Sequence, residues 1–385
     1  MAEEKPVIIY GGSFDPPHKG HIALAAAALR QLRPRALYFV PGFRTPFKDA
    51  RPVPFAARLA LLKEALRGSA LDGRPEVKIS SFEAGLKRVV YTHETIAHFK
   101  RRHPGSRLYF LMGSDCLASF GKWKNSGEIL RDAALLAGLR PGCALQKRAA
   151  VPFVPLDGIF PRAASSDLRG RLFLGERPRE MQRRVLALID RKGLYLSRER
   201  ARLKRTLSPR RFAHCLETAR LAQELAPGLG LPPQKAALAG LLHDCARELP
   251  ARRLRSLALK FRTPGMAYKT MAREAPVLLH AWAGAAEARG AFGVRDRGVL
   301  EAIALHATGT PEMSPLARLV YVCDLAAEGR DFPEAGLVRE LSRRDFAAAF
   351  RETNYVKLSY AFSCGGWVHP LSVSLWNSLQ ETKLK

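Results

Sequence analysis

One change of pattern constrains this chain more than anything else in it. Over residues 1–195, short apolar runs alternate with stretches of helical periodicity; from Ser208 onward the strand pattern stops and only helical periodicity remains. In the first part, strands are expected at Pro6–Tyr10, Ala36–Val40, Val77–Phe82, Arg107–Met112, Ala134–Leu139 and Val151–Leu156. Helices are expected between and after them, at His21–Leu32, Phe55–Arg67, Thr92–Arg102, Asp167–Leu174 and Arg179–Lys192. Alternation of this kind predicts a parallel sheet covered by helices on both faces, with ligands bound beyond the carboxyl ends of the strands. In the second part, helices are expected at Pro209–Leu225, Gln234–Ala246, Pro250–Lys260, Val277–Phe292, Arg297–Ala307, Pro315–Ala327 and Asp345–Phe362. The fold class is therefore an α/β Rossmann-like domain over 1–195 and an all-α domain over 208–385. The polar, basic stretch 196–207 (LSRERARLKRTL) reads as the linker, or equally as a solvated helix.

The six cysteines form no CxxC pair, so neither a zinc ribbon nor a disulfide framework is indicated. From the acidic start MAEEKPVIIY no signal peptide is expected. The longest apolar run, Ile22–Leu29, is too short to span a bilayer, so no membrane partner is expected and a reducing cytoplasm is the expected compartment. The net charge of +28 is spread over both parts, with 34 Lys and Arg against 17 Asp and Glu in residues 1–195 and 29 against 18 beyond. Such a surface attracts polyanions, including phosphorylated small molecules.

The stretch GGSFDPPHKGH, Gly11 to His21, follows the first strand and opens the first helix. Gly11 and Gly12 let backbone approach a ligand closely. The helix start offers unpaired N–H groups and a positive dipole end. His18 and His21, three residues apart, can address one anion. No nucleophilic side chain is placed for a covalent intermediate, so the implied chemistry is direct attack of one phosphate on another, aided by positioning and charge neutralisation.

With its strand, glycines and HxGH spacing, this segment resembles the HxGH nucleotidyltransferase superfamily, and within it bacterial nicotinate-nucleotide adenylyltransferase, which joins nicotinate mononucleotide to the AMP of ATP. The resemblance implies catalytic roles for His18 and His21, Mg²⁺ accompanying the ATP, and an ATP and substrate site formed by Gly11, Gly12, Ser13, Phe14, Lys48, Tyr91, Thr92, Gly113, Asp115, Trp123, Ser165, Ser166 and Arg169. Trp123 corresponds to the ring that stacks on nicotinate, Ser166 to a helix cap facing phosphate, and Arg169 to a triphosphate fork. Three positions depart from the family pattern: Phe47 for histidine, Val90 for serine and Asp167 for threonine. They bear on substrate choice more than on reaction class.

In the helical part, His214 lies in RRFAHCLETAR, His243 and Asp244 in AGLLHDCARE, His280 in VLLHAWAG, His306 in AIALHATG and Asp324 in LVYVCDLAAEGR. A His-Asp pair following the apolar run Ala236–Leu242 is costly to bury unless its charge is used, and a divalent metal uses it. Imidazole and carboxylate ligands suit iron, manganese, cobalt or zinc. A metal there activates water for attack on phosphorus. The ordered set H…HD…D resembles the HD phosphohydrolase superfamily, and more narrowly the bacterial HD-domain symmetrical diadenosine tetraphosphatases. The resemblance implies His214, His243, Asp244 and Asp324 as ligands of a transition metal, iron first, with Asp244 catalytic. Arg211, Arg247, His280, His306, Arg330 and His369 then face the nucleotide, one of the two histidines alternatively completing a second metal site. Arg247 replaces a usual lysine, Ala307 a threonine and Ala327 a glutamate.

The expected partners are therefore small nucleotides: ATP, nicotinate mononucleotide and diadenosine tetraphosphate, with homo-oligomerisation open. Two further readings compete. The same two heads could act on other nucleotides, although the absence of Gly-Tyr-Pro after the HD pair argues against cyclic dinucleotides. Alternatively the basic charge could serve nucleic acid or the ribosome, but no stacking aromatics interleave the basic residues and no RNA-binding signature is present.

Overall fold

The computed structural model describes residues 5–43, 53–138 and 151–381. The chain divides into two compact units: residues 1–172 with 176–195, and residues 173–175 with 196–385.

The first unit is built on six parallel strands in the order β3-β2-β1-β4-β5-β6. These are β1 (Val7–Gly12), β2 (Ala36–Pro41), β3 (Val77–Ile79), β4 (Leu108–Gly113), β5 (Ala134–Gly138) and β6 (Val154–Leu156). The helices are α1 (Lys19–Leu32), α2 (Phe55–Leu66), α3 (Phe82–Leu86), α4 (Thr92–Arg102), α5 (Ser114–Ser119), α6 (Ser126–Asp132), α7 (Ser165–Phe173) and α8 (Arg183–Lys192). β1 and β2 are apolar runs that the helices cover on both faces, as a buried parallel strand requires. Chain direction across the sheet reverses between β1 and β4, whose carboxyl ends carry Gly11–Gly12 and Gly113. That reversal opens the crevice where doubly wound sheets bind ligands. The third strand is shorter than its apolar pattern predicts. The Ser80 hydroxyl accepts the Phe82 N–H at 3.3 Å, a local turn that competes with the ladder, and Phe82 instead opens α3.

The second unit is helical throughout its described residues: α9 (Ser197–Thr206), α10 (Pro209–Leu225), α11 (Pro233–Leu242), α12 (Ala251–Leu259), α13 (Tyr268–Glu274), α14 (Leu279–Ala291), α15 (Arg297–Leu305), α16 (Pro315–Ala326), α17 (Pro333–Arg344), α18 (Phe346–Ser363) and α19 (Pro370–Glu381), with short 3₁₀ turns between. The stretch 196–207 is not a patternless connector: it contains α9, and Leu203 and Leu207 are buried in the core of the helical unit. Ser208 caps α10 by accepting the Arg211 N–H, and Pro209 follows as the first helical residue. Gly240 lets α10 and α11 close on each other, since a Cβ there meets the Ala219 backbone at 2.9 Å. Among the described residues, no helix is long and apolar enough to cross a membrane.

Candidate functional sites

In the first unit a cavity of about 350 Å³ opens beyond the carboxyl ends of β1 and β4. Gly11, Gly12, Ser13, His18, His21, Tyr91, Thr92, Gly113, Trp123, Ser165 and Ser166 line it. The two histidines are fixed by local structure. The His18 N–H donates to His21 Nδ1 at 3.1 Å, so in the neutral His21 ring the proton sits on Nε2. The rings stack with centroids 3.7 Å apart. Gly20 between them leaves little room for a side chain, because a Cβ there lies 3.0 Å from the His18 ring. Also on the cavity wall, Trp123 meets Phe110 edge-on and Phe120 at a tilt. The Lys124 ammonium lies 4.4 Å from the Tyr91 ring centroid, a cation–π contact.

Several expected residues are placed differently from the roles assigned to them, or are described only in part. Phe14 is buried beneath the site, against Tyr10, Phe39 and His21, and its side chain supports the loop from the core. Arg169 turns to the Asp15 carbonyl at 2.5 Å rather than facing the cavity, with Asp15 also held by the Tyr195 hydroxyl at 2.6 Å. Ser166 lies inside α7 rather than capping it, one position after Ser165, whose hydroxyl donates to Pro16 O at 3.0 Å. Asp115 is placed by its backbone at the start of α5. Lys48 and Phe47 lie outside the described residues.

The cavity also holds a residue that the pattern reading missed. Glu83, at the start of α3, is buried and lines the wall, accepting from Thr95 Oγ1 at 2.9 Å. Burial pushes its carboxyl up to about 7, against the Thr95 hydrogen bond. No local motif announces it, because its partner stands twelve positions along the chain.

In the second unit five helices converge on one cluster. His214 comes from α10, His243 and Asp244 from the end of α11, His280 from α14, His306 from the end of α15 and Asp324 from α16. Two triads could each hold a metal ion: His214, His243 and Asp244, and Asp244, His280 and His306, each with its ligand atoms within 4.8 Å of one another. Asp244 belongs to both. The Asp324 carboxylate lies 3.1 Å from His214 Nε2 and 3.6 Å from His243 Nε2.

The ring nitrogens test whether this set fits a metal. His243 Nδ1 lies 2.7 Å from Gly240 O, His306 Nδ1 2.7 Å from Ile303 O and His280 Nδ1 2.5 Å from Val277 O. A carbonyl only accepts, so Nδ1 of His243 and of His306 carries a proton, and Nε2 of each ring is the atom directed at the cluster. The inward nitrogens face one another: His214 and His243 at 3.2 Å, His280 and His306 at 3.0 Å. Imidazole nitrogens and the buried Asp244 carboxylate thus converge in a donor set that fits a divalent metal.

Electrostatics agree. Burial opposes ionisation of Asp244, but the His243 charge and hydrogen bonds from His243, His280 and His306 outweigh it and hold the carboxyl well below its usual range. Burial also lowers His243, yet Asp244 and then Asp324 raise it to about 9, whereas burial dominates at His306 and pushes it down to about 4. Cations ring the cluster. Arg211 donates to Asp244 at 2.7 Å, Arg330 to Asp324 at 2.9 Å, and Arg247 Nη1 lies 3.4 Å from Val277 O beside His280. Lys357 of α18, unmarked by any sequence pattern, donates to Asp324 at 3.2 Å and to His306 O at 2.6 Å. His369 is not at the cluster: it is buried, stacked on Trp282, with Nε2 on Met266 O at 3.0 Å.

A cavity at the switch point of a doubly wound sheet in one unit and a helical His-Asp cluster in the other define a nucleotidyltransferase-like unit and an HD unit. Residues 9–171 match the cytidylyltransferase-like family, and residues 211–327 match the HD domain. A probable nicotinate-nucleotide adenylyltransferase/Ap4A hydrolase of Mycoplasma pneumoniae is 30% identical over 91% of this chain and 98% of its own length. Its namesake in Mycoplasma genitalium is 30% identical over 83% of this chain and 87% of its own. The crystal structure of a predicted HD superfamily hydrolase involved in NAD metabolism from Clostridium acetobutylicum is 27% identical, covering 49% of this chain and 97% of its own, with a TM-score of 0.45. The chain belongs to the family of two-headed nicotinate-nucleotide adenylyltransferase/Ap4A hydrolases.

Proposed function

We propose that the first unit transfers the adenylyl group of ATP to nicotinate mononucleotide, giving deamido-NAD and pyrophosphate. We propose equally that the second splits diadenosine tetraphosphate symmetrically into two ADP. The observation that carries the first activity is one cavity lined by two unlike sets of residues: the His18–His21 pair with the start of α1, suited to phosphates, and Trp123 with Tyr91, suited to flat rings. His18 and His21 orient the triphosphate and offset charge that builds as the attacking phosphate oxygen displaces pyrophosphate. Mg²⁺ accompanies the ATP. The protonated form of Glu83 keeps that wall from repelling the substrates.

The second activity rests on the carboxylate shared by two imidazole triads. His214, His243, Asp244 and Asp324 would hold the metal, with His280 and His306 beside them; the mixed nitrogen and oxygen set suits iron, then manganese, cobalt or zinc. Bound there, the metal supplies Lewis acidity toward phosphate and the attacking water. Arg211, Arg330 and Lys357 balance two buried carboxylates with a surplus of positive charge, which suits a polyphosphate better than a monophosphate. The described cysteines are all free thiols, in keeping with a reducing cytoplasm.

Chromatography of the products tests both. Deamido-NAD is expected from ATP, Mg²⁺ and nicotinate mononucleotide, with the amide substrate poorer. Two ADP are expected from diadenosine tetraphosphate in the presence of ferrous or manganous ion. AMP plus ATP would place the cleavage at the wrong bond and overturn the symmetrical reading.

A further inference from the structure

Arg58 is 1% exposed, yet no carboxylate among the described residues lies within ion-pair distance of it. Instead its guanidinium donates to four backbone carbonyls: Nε to Val53 O at 2.8 Å, Nη1 to Ser13 O at 2.6 Å, and Nη2 to Gly42 O at 2.7 Å and Phe43 O at 3.2 Å. Burying a cation with no carboxylate hydrogen-bonded to it among the described residues is costly, and Asp15 and Glu83 attract it only from a distance. Arg58 sits in the first turn of α2, where the helix dipole disfavours positive charge and no acidic residue compensates. The return must lie in what the four carbonyls belong to.

They belong to three separate stretches, two of which rim the nucleotide cavity through Ser13 and Gly42. Ser13 O is one edge of the peptide that precedes Phe14, a residue in the left-handed region at φ 46°. Gripping that oxygen fixes the peptide plane, and with it the turn that carries the chain from Gly12 toward His18. The next stretch is held at both edges. Gly42 O accepts from Arg58, the Phe43 N–H of the same peptide donates to Glu83, and the Gly42 N–H donates to Gly12 O at 2.9 Å. Val53 O brings the start of α2 to the same guanidinium. Only arginine can do this, because its planar fork reaches several acceptors in different directions while a lysine ammonium radiates from one point.

We propose that Arg58 is a positioning residue for adenylyl transfer, its buried guanidinium setting the backbone of the Gly11–Phe14 phosphate loop against the Gly42–Phe43 loop so that the cavity is preformed for nucleotide. The inference rests on the reading of the first unit as an adenylyltransferase only for what the loops bind; the clamp itself is independent of it.

Arg58→Lys and Arg58→Met in the full chain test it by two measurements. Hydrogen exchange is expected to quicken at least ~10-fold in peptides covering residues 11–14 and 42–43, with β4 and the helical unit unchanged. ATP affinity by calorimetry is expected to fall ~10–100-fold, with hydrolysis of diadenosine tetraphosphate unaffected, and ethylguanidinium is expected to restore part of the ATP affinity in Arg58→Ala. Unchanged exchange at both loops in the folded Lys variant overturns the proposal whatever the unit binds. Quickened exchange with unchanged ATP affinity overturns the link to the nucleotide site. A wild-type chain that forms no deamido-NAD overturns the assigned reaction and leaves the exchange result to decide on Arg58. If Arg58→Met does not fold, the Lys variant carries both measurements.

Discussion

The nucleotide cavity and the His-Asp cluster both suit phosphate, but they are built from opposite materials and over opposite distances. The cavity takes its phosphate end from eleven consecutive residues, a glycine turn and the first turn of α1, with two imidazoles aligned by one backbone hydrogen bond. The cluster takes six ligand candidates from five helices, and the most distant pair, His214 and Asp324, is 110 residues apart in sequence. In the cavity, charge is met by backbone and imidazole rings, and the buried Arg58 guanidinium stands behind the loop. In the cluster, two buried carboxylates hold the imidazoles, and cations surround them. A loop site survives as long as its loop keeps its shape, whereas a convergent site depends on the packing of every helix that feeds it.

That contrast sets the expected order of effects. The largest should follow Asp244→Ala, which removes the carboxylate common to both triads; bound metal and hydrolysis should vanish, a loss of at least ~10³-fold, with adenylyl transfer intact. Metal and hydrolysis that persist would make the His-Asp pair structural. His18→Ala should slow adenylyl transfer ~10²–10³-fold and spare hydrolysis, because one positioned donor is lost while the loop remains. An unchanged rate removes His18 from the chemistry.

Leu203→Ala should destabilise the helical unit by ~2–5 kcal/mol, read as a lowered melting transition, with the first unit's transition unmoved. This sharpens the boundary. We propose that α9 belongs to the second unit, so a cut between Tyr195 and Leu196 should give two folded, active pieces, and one within α9 should weaken the second. No shift on Leu203→Ala would return 196–207 to the role of a connector.

The smallest effect concerns Glu83. Its folded carboxyl titrates near 7 against an ordinary 4.5, so the folded chain binds the extra proton between those values and stability falls as pH rises through that window. Glu83→Gln should therefore raise stability at pH 8 by roughly 1–3 kcal/mol and make little difference at pH 4, measured by denaturant unfolding. Equal curves at both pH values would mean that the carboxyl is solvated.

How far these sites can be read without coordinates follows the same division. His18, Gly20 and His21 are legible because their spacing and mutual contact lie within one helical turn. His214, His243, Asp244 and Asp324 are legible as a set through the ordered H…HD…D pattern, whose resemblance to the HD superfamily implies the ligand role. Phe14 and Arg169 show where adjacency misleads: both flank the cavity in sequence, but one points into the core and the other to Asp15. His369 is drawn away by the Trp282 ring and the Met266 carbonyl. Arg58, Glu83 and Lys357 carry no local signature, since a basic or acidic residue on a helix reads as solvated until its partners are known.

By itself the sequence determined the alternation that makes a parallel sheet, the change to an all-helical second unit, the phosphate loop and the order of the metal-binding residues. The first three are encoded in periodicity or spacing over a turn or two, and the candidate metal ligands only as an ordered set spread over 110 residues. Only the tertiary structure decided which nitrogens face one another, that Asp244 serves two triads, that α9 packs into the helical core and that Arg58 clamps two loops. Those depend on contacts between residues distant in the chain, where the free energy of burial and hydrogen bonding is settled by packing and leaves no mark in local pattern.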